Sequence, residues 1–256
     1  MHSNLETNNK IVVYSCVTGN YEKLIKHKDL EKNIKYIFFT ESYENVPNGW
    51  IMQPINGLDN FTNKDKNRYV KFHPSKFLPT HDISIYIDGN IEITKSVSHL
   101  ISKISKIDKD LFLYRHYERE CIYDEGNQCI EDSLDWFWKI KKQMKRYRKE
   151  SYPKNRGLFE NNIIICKNNE KSRKLLHNCW EEYVNEAKRD QLALNYCSWK
   201  LKVPIYDLGF SNVRSGGEFF YLDLNNRFRK ITFIHLMRLT VNSIYLFFDK
   251  LLKDFK

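Results

Sequence analysis

What this chain lacks already removes several classes of protein. Its first residues, MHSNLETNNK, are polar and contain no apolar h-region, so neither export nor an amino-terminal anchor is indicated, and residues 1–9 read as a flexible tail. The six cysteines, Cys16, Cys121, Cys129, Cys166, Cys179 and Cys197, show neither a C-x-x-C pair nor zinc-finger spacing. A disulfide framework and a structural zinc are therefore not expected, and a cytoplasmic, reducing location is the default. No internal repeat or low-complexity linker interrupts the 256 residues, which are read as one domain. Neither G-x-S-x-G nor H-E-x-x-H occurs, which leaves a hydrolase without support. An RNP aromatic pair is missing too, so no specific nucleic-acid partner is expected.

What is present suffices for a core. Hydrophobic residues make up 41%, with 16 Tyr, 16 Phe and 5 Trp, too aromatic a composition for disorder. The formal charge of +10 fits nucleic acid, acidic lipid or a phosphate-bearing substrate, and equally a solvated basic surface. Strands are expected at IVVYSCV (11–17), Tyr36 to Phe39, HDISIYI (81–87), Leu111 to Tyr114 and NIIIC (162–166). Helical spacing runs from Phe61 to Phe77 with a break near Pro74, then over 96–107, 130–149, 171–188 and 191–200. Alternation of this kind predicts an α/β fold with a mainly parallel central sheet and helices on its faces.

The most informative segment is SIYIDGNIEI (84–93), in which an apolar strand ends in Asp88, Gly89 and Asn90. Ligands of open α/β sheets bind at such strand ends. Asp-Gly between β-branched runs is also a common hairpin signal, and both readings stand. Arg68 and Lys71 lie three apart on one face of the preceding helix, where both would point at a diphosphate or simply be solvated. Thr18, Gly19 and Tyr21 follow the first strand, where a nucleotide base would stack on the tyrosine; Gly19 is alternatively only a turn glycine.

The motifs VYSCVTGNYEKL, YIFFTE, NRYVKFHPSKFLP, DISIYIDGNIEI, RHYERECIYDE, YPKNRGLFENNIII and RDQLALNY follow one another between Ile11 and about Lys200. In them the chain resembles a glycosyltransferase-like family with plant and bacterial members, catalogued as domain of unknown function 616. The resemblance implies a single GT-A-like (Rossmann-like) domain over 10–229 that moves a sugar from a nucleotide-sugar donor to a glycan or lipid-linked acceptor, in surface polysaccharide synthesis. It also implies a divalent metal, Mn2+ or Mg2+, on an Asp-any-Asp motif. Asp88 matches its first position, while Asn90 stands where the second Asp would be and removes a charge from a site that wants hard oxygen ligands. A nucleotide-sugar-binding pseudoenzyme is therefore one alternative, and a basic nucleic-acid-binding protein, on the charge alone, is the other.

By the same resemblance His235 completes the metal site, with a core or solvent-facing histidine as the plainer reading. Asp190 would orient or deprotonate the acceptor hydroxyl and Gln191 would face the anomeric carbon; otherwise Asp190 only favours a helix dipole. RHYERECIYDE gathers His116, Arg119 and Glu125 with Glu120 and Asp124, either as acceptor-binding or supporting groups or as a surface charge cluster.

The last segment, 230–256, places Phe233, Met237, Val241, Ile244, Phe248, Leu251 and Phe255 at three- and four-residue steps with cations elsewhere on the wheel. A basic amphipathic C-terminal helix is expected, packed on the domain or attached peripherally to an anionic membrane surface on its cytoplasmic face. His235, Arg238 and Asn242 make it a poor transmembrane span.

Overall fold

A computed structural model describes residues 10–19, 27, 30–42, 46–210, 213, 217–222 and 232–254. The continuous apolar runs become strands buried on both faces: β1 (Ile11–Cys16), β4 (Ile83–Ile87) and β7 (Ile163–Lys167) show almost no exposed position. With β2 (Lys35–Phe39), β3 (Ile51–Gln53), β6 (Leu111–Arg115) and β8 (Ile205–Phe210) they form a sheet of order β3-β2-β1-β4-β7-β6-β8. All pairs are parallel except those of β7, which runs against both β4 and β6. The carboxyl ends of β1, β4 and β6 and the amino end of β7 therefore share one edge.

Alternate residues of β1 enter two cores. Val12, Tyr14 and Cys16 face the larger, under the helices that follow, and Ile11 and Val13 face the smaller. On the larger side lie α1 (Asn63–Phe72), the short α2 (Pro74–Phe77), α4 (Ile122–Glu131), α5 (Phe137–Lys149), α6 (Glu170–Asn185) and α7 (Asp190–Lys200); α3 (Val97–Ile104) covers the smaller. Thr62 caps α1 by accepting from Asp65 N, and Asn169 caps α6 by accepting from Ser172 N, so both starts are encoded locally. A last helix, α8 (Phe233–Asp254), runs within the expected segment.

Two expectations are corrected. The Asp88-Gly89 step is not a hairpin: the strand after it, β5 (Ile91–Ile93), leaves the large sheet and pairs antiparallel with β9 (Phe220–Leu222). The turn thus carries the chain from one sheet to the next. The single helix expected over 130–149 is two. α4 ends where Ser133 takes φ 52, Leu134 N bonds back to Cys129 O, and Asp135 turns its carboxylate to Trp136 N and Lys188 N. Gly126 permits this pairing of α4 with α5, because a Cβ there would stand 2.9 Å from Met144.

Candidate active site

At the shared edge, β4 delivers Asp88, whose backbone N–H is held by Asn162 O at 2.9 Å. Its Oδ1 accepts from the Tyr86 hydroxyl at 2.9 Å. Burial pushes the Tyr86 hydroxyl well above its ordinary pKa, so it remains a donor. From α1, Lys71 reaches the same place and is only 1% exposed. Its Nζ lies 2.8 Å from Asp190 Oδ2, 3.7 Å from Asp88 Oδ1 and 4.6 Å from the centre of the Tyr86 ring. Arg68, one turn earlier on the same face, puts Nε 3.0 Å from Asp190 Oδ2. Asn67 ties the two strand ends together by donating to Cys16 O and to the Tyr86 hydroxyl.

Asp190 begins α7 and is buried. Burial alone would raise its pKa, but Arg68, Lys71 and Arg189 outweigh it and hold the carboxyl well below the usual range. A carboxylate so held accepts protons poorly near neutrality. In the structure this carboxylate holds two cations, accepting from Lys71 Nζ and lying against Arg68 Nε. Likewise Arg68 and Lys71 do not stand solvated; both are clamped on carboxylates.

The RHYERECIYDE residues separate by burial. Glu120 and Asp124 are exposed, but His116 and Glu125 are buried, which rules out a simple surface cluster. Arg119 Nε donates to Glu125 Oε2 at 2.8 Å, His116 Nδ1 accepts from the N–H groups of Glu118 and Arg119, and Arg189 approaches Glu125 Oε1 at 4.0 Å. Arg189 thereby joins this group to its neighbour Asp190.

The chain segments that carry these ions also hold buried polar atoms without partners: both side-chain atoms of Asn90 and of Asn161, Asn162 Oδ1, and Gln191 Nε2. Sequence reasoning singled out Asn90 and Gln191 but missed Asn67, Asn161 and Asn162. The Asn-Asn pair before a strand reads as turn chemistry, and its only signal was the burial implied by the run NIIIC.

Thr18 Oγ1 donates to Asn63 O at 2.7 Å, which joins the end of β1 to the start of α1. Gly19 has φ 65, and a Cβ there would collide with the Asn63 side chain, so this glycine is required by the turn. Tyr21 lies outside the described residues. His235 stands in the first turn of α8, a helix that packs on α4 and on the 133–137 turn. Among the described residues no three His, Cys, Asp or Glu side chains converge to hold a metal ion.

Three comparisons bear on this geometry. The profile of the family described as TOD1/MUCI70, glycosyltransferase-like domain matches residues 56–214, a span that holds Arg68, Lys71, Asp88, Asn90, Glu125, Asp190 and Gln191. No curated protein matches the chain in sequence. Among solved structures, mouse xyloside xylosyltransferase 1 in its apo form aligns with a TM-score of 0.51 at 10% identity, over 86% of this chain and 100% of that one. At that identity the likeness speaks for the fold, and the α/β, GT-A-like arrangement expected from the sequence is the one found.

Proposed function

Because the chain belongs to the TOD1/MUCI70 glycosyltransferase-like family, we propose that it transfers a sugar from a nucleotide-sugar donor to a hydroxyl of a glycan or lipid-linked acceptor. One observation supports this most: Asn90, Asn161 and Gln191, which lie in the chain beside Asp88, its backbone partner Asn162 and Asp190 at the carboxyl edge of the sheet, carry buried polar atoms without partners. That edge is where open α/β sheets bind ligands. Native proteins leave few buried polar atoms unpaired unless a ligand or ordered water meets them.

In this reading the donor diphosphate lies against Lys71 and Arg68, with the nucleoside toward Thr18 and Gly19. As the bond from the anomeric carbon to the diphosphate breaks, negative charge grows on the leaving diphosphate, which takes up the proton of the acceptor hydroxyl as that oxygen bonds to the anomeric carbon. Cations already fixed by Asp190 and Asp88 stabilise that charge without reorganising. Gln191 Nε2 and the Asn90 and Asn161 amides orient the sugar, and His116, Arg119 and Glu125 shape the acceptor side through Arg189. Asp190 is thus a positioning residue for Lys71 and Arg68.

The donor set suits a divalent cation that arrives with the diphosphate. Asp88 offers one carboxylate and Asn90 an unpartnered amide oxygen, and magnesium-like ions are commonly held by one or two carboxylates plus substrate phosphates. Such an ion, Mn2+ or Mg2+, would further neutralise the leaving group when bound.

A thermal-shift panel of nucleoside diphosphate sugars, with and without manganese, tests the reading, since a ligand of the native state raises Tm. At least one donor should stabilise the chain, and Asp88→Ala should lower its turnover by about a hundredfold or more with the fold intact. Undiminished transfer by Asp88→Ala would refute the assignment, and donor binding without any turnover in the parent chain would leave a binding protein instead.

A further inference from the structure

An amphipathic helix packed on its own domain ordinarily turns its apolar side inward. α8 does so only in part. Tyr245 and Leu246 pack on the core, but its inward side is otherwise held by polar groups: Asn242, fully buried, donates Nδ2 to Asp135 O at 2.9 Å and to Ile130 O at 3.3 Å, and accepts from Phe137 N at 3.1 Å. Arg238, one turn earlier, donates to Leu134 O at 2.9 Å and lies over the Trp136 ring. Tyr245 stacks on Phe137 with ring centres 4.2 Å apart. The opposite side carries Phe233, Leu236, Met237, Ile244, Phe247 and Phe248, each between 45% and 75% exposed. These positions recur at steps of three, four and seven residues, so they share one side of the helix, with Thr240 between its two apolar halves.

That face has a border. Trp138 is 47% exposed and stacks on Trp136 at 4.7 Å, beside the first half of α8. Lys141 of α5 lies over the Tyr245 ring, Lys145 is exposed one turn further along α5, and Lys250 is exposed on α8 itself. An apolar face edged by an indole and by ammonium groups matches the layering of an anionic bilayer surface, with acyl chains under the apolar face, the indole at headgroup level and the cations on phosphate. A second copy fits less well, because joining two such faces would bring like-charged borders together on a chain of net charge +10. No described helix is long and apolar enough to cross a membrane.

We propose that α8, with Trp138 and the lysines of α5, is an in-plane anchor that seats the protein on an anionic phospholipid surface. The docking turn links this anchor to the site, since Asp135 Oδ2 accepts from Lys188 N at 2.7 Å, just before Arg189 and Asp190. The attachment itself does not depend on the transferase reading.

Co-sedimentation of the whole chain with phosphatidylcholine vesicles, and with vesicles of phosphatidylcholine plus phosphatidylglycerol, tests it. The anionic vesicles should be preferred, with a blue shift of tryptophan emission and weakening by salt. The double substitution Phe247→Ser and Phe248→Ser should lower vesicle affinity at least about tenfold while changing Tm little, because both side chains are more than half exposed. Equal binding to both vesicle types, or equal binding by the double variant, would overturn the proposal. So would a concentration-dependent dimer, by sedimentation velocity without lipid, that the double variant splits, since a second copy would then own the face.

Discussion

At the carboxyl edge of the central sheet, Lys71 is 1% exposed and clamped between Asp88 and Asp190; at the amino edge, Lys171, Lys174 and Lys202 stand in solvent. They line a cleft of about 410 Å³ together with Lys109, Asp108 and Asp110, before β6 and β8. The amino edge thus has a cleft and as many cations as the candidate site, where Arg68, Lys71, Arg119 and Arg189 stand. It holds none of the buried unpartnered amides and no clamped carboxylate, and the residues around it belong to solvated loop ends and the first turns of α6. Charge alone does not mark a site; charge removed from water and held in one geometry does, because only there is its interaction with a ligand undiluted by solvent. The candidate site is therefore placed by burial and pairing.

The sharpest way to break this comparison is Asp190→Asn. It leaves Lys71 and Arg68 buried with one carboxylate fewer, and removing one partner of a buried pair costs about 3–5 kcal/mol. For a chain of this size that is on the order of 10 °C in Tm. The cost depends on pH with a definite sign. The folded carboxyl is held low, so its contribution is full above the unfolded value of about 4 and shrinks as pH falls below it. Unfolding of parent and variant should thus differ most at neutral pH and converge in acid. Donor affinity by calorimetry should fall with stability, since the same carboxylate positions both cations. A variant with unchanged Tm would show that the ion cluster is not fixed in the way described.

Much of this fold was legible beforehand and much of the site was not, for reasons that differ. β1, β4 and β7 announced themselves because strands buried on both faces must be apolar throughout. β8 was missed because it is an edge strand of intermediate burial, and its Asp207 and Gly209 break any alternation. α4 was hidden behind the polar RHYERECIYDE stretch, and the break after it was masked because helical periodicity continues through Ile130 and Phe137 on either side of Ser133. In the site, residue type and motif pointed to Arg68, Lys71, Asp88, Asn90, Asp190 and Gln191. Their mutual pairing was beyond reach: Lys71 and Asp190 are 119 residues apart and meet only through the sheet order. A sequence places a cation near a diphosphate by habit of composition; only the topology reveals that a carboxylate already holds it.

A smaller effect tests burial itself, away from both edges. His73, at the end of α1, is held down to about 4, chiefly because it is buried and despite its contact with Tyr69 O, with Lys76 and His177 also opposing its charge. It stays neutral in the folded state while the unfolded chain binds a proton below about 6.5. Stability from this group is therefore complete above pH 6.5 and lost as pH falls toward 4, on the order of 1 kcal/mol per pH unit. Urea unfolding of the parent should weaken over that window, and His73→Gln should flatten the slope. A slope unaltered by the substitution would assign the effect to another group.

The smallest expected change is the one that bears most directly on the comparison, because it asks whether the amino edge is an idle surface. Lys171→Gln, Lys174→Gln and Lys202→Gln remove three charges from the cleft that looks more open. Substitutions of exposed side chains away from caps and ion clusters usually lie within about 0.5 kcal/mol, and solvated charges act weakly beyond roughly 8–10 Å at ordinary ionic strength. Stability, nucleotide-sugar affinity and turnover of the triple variant should accordingly stay within about twofold of the parent. Lys202 is the residue of the three to watch. Its φ of 55 is a strained setting for a side chain, and Gln keeps the same backbone demand, so only the charge is tested. If donor affinity fell tenfold while Tm held, the diphosphate would bind at the amino edge, and the buried cluster at Asp88 would be a structural ion network instead of a site.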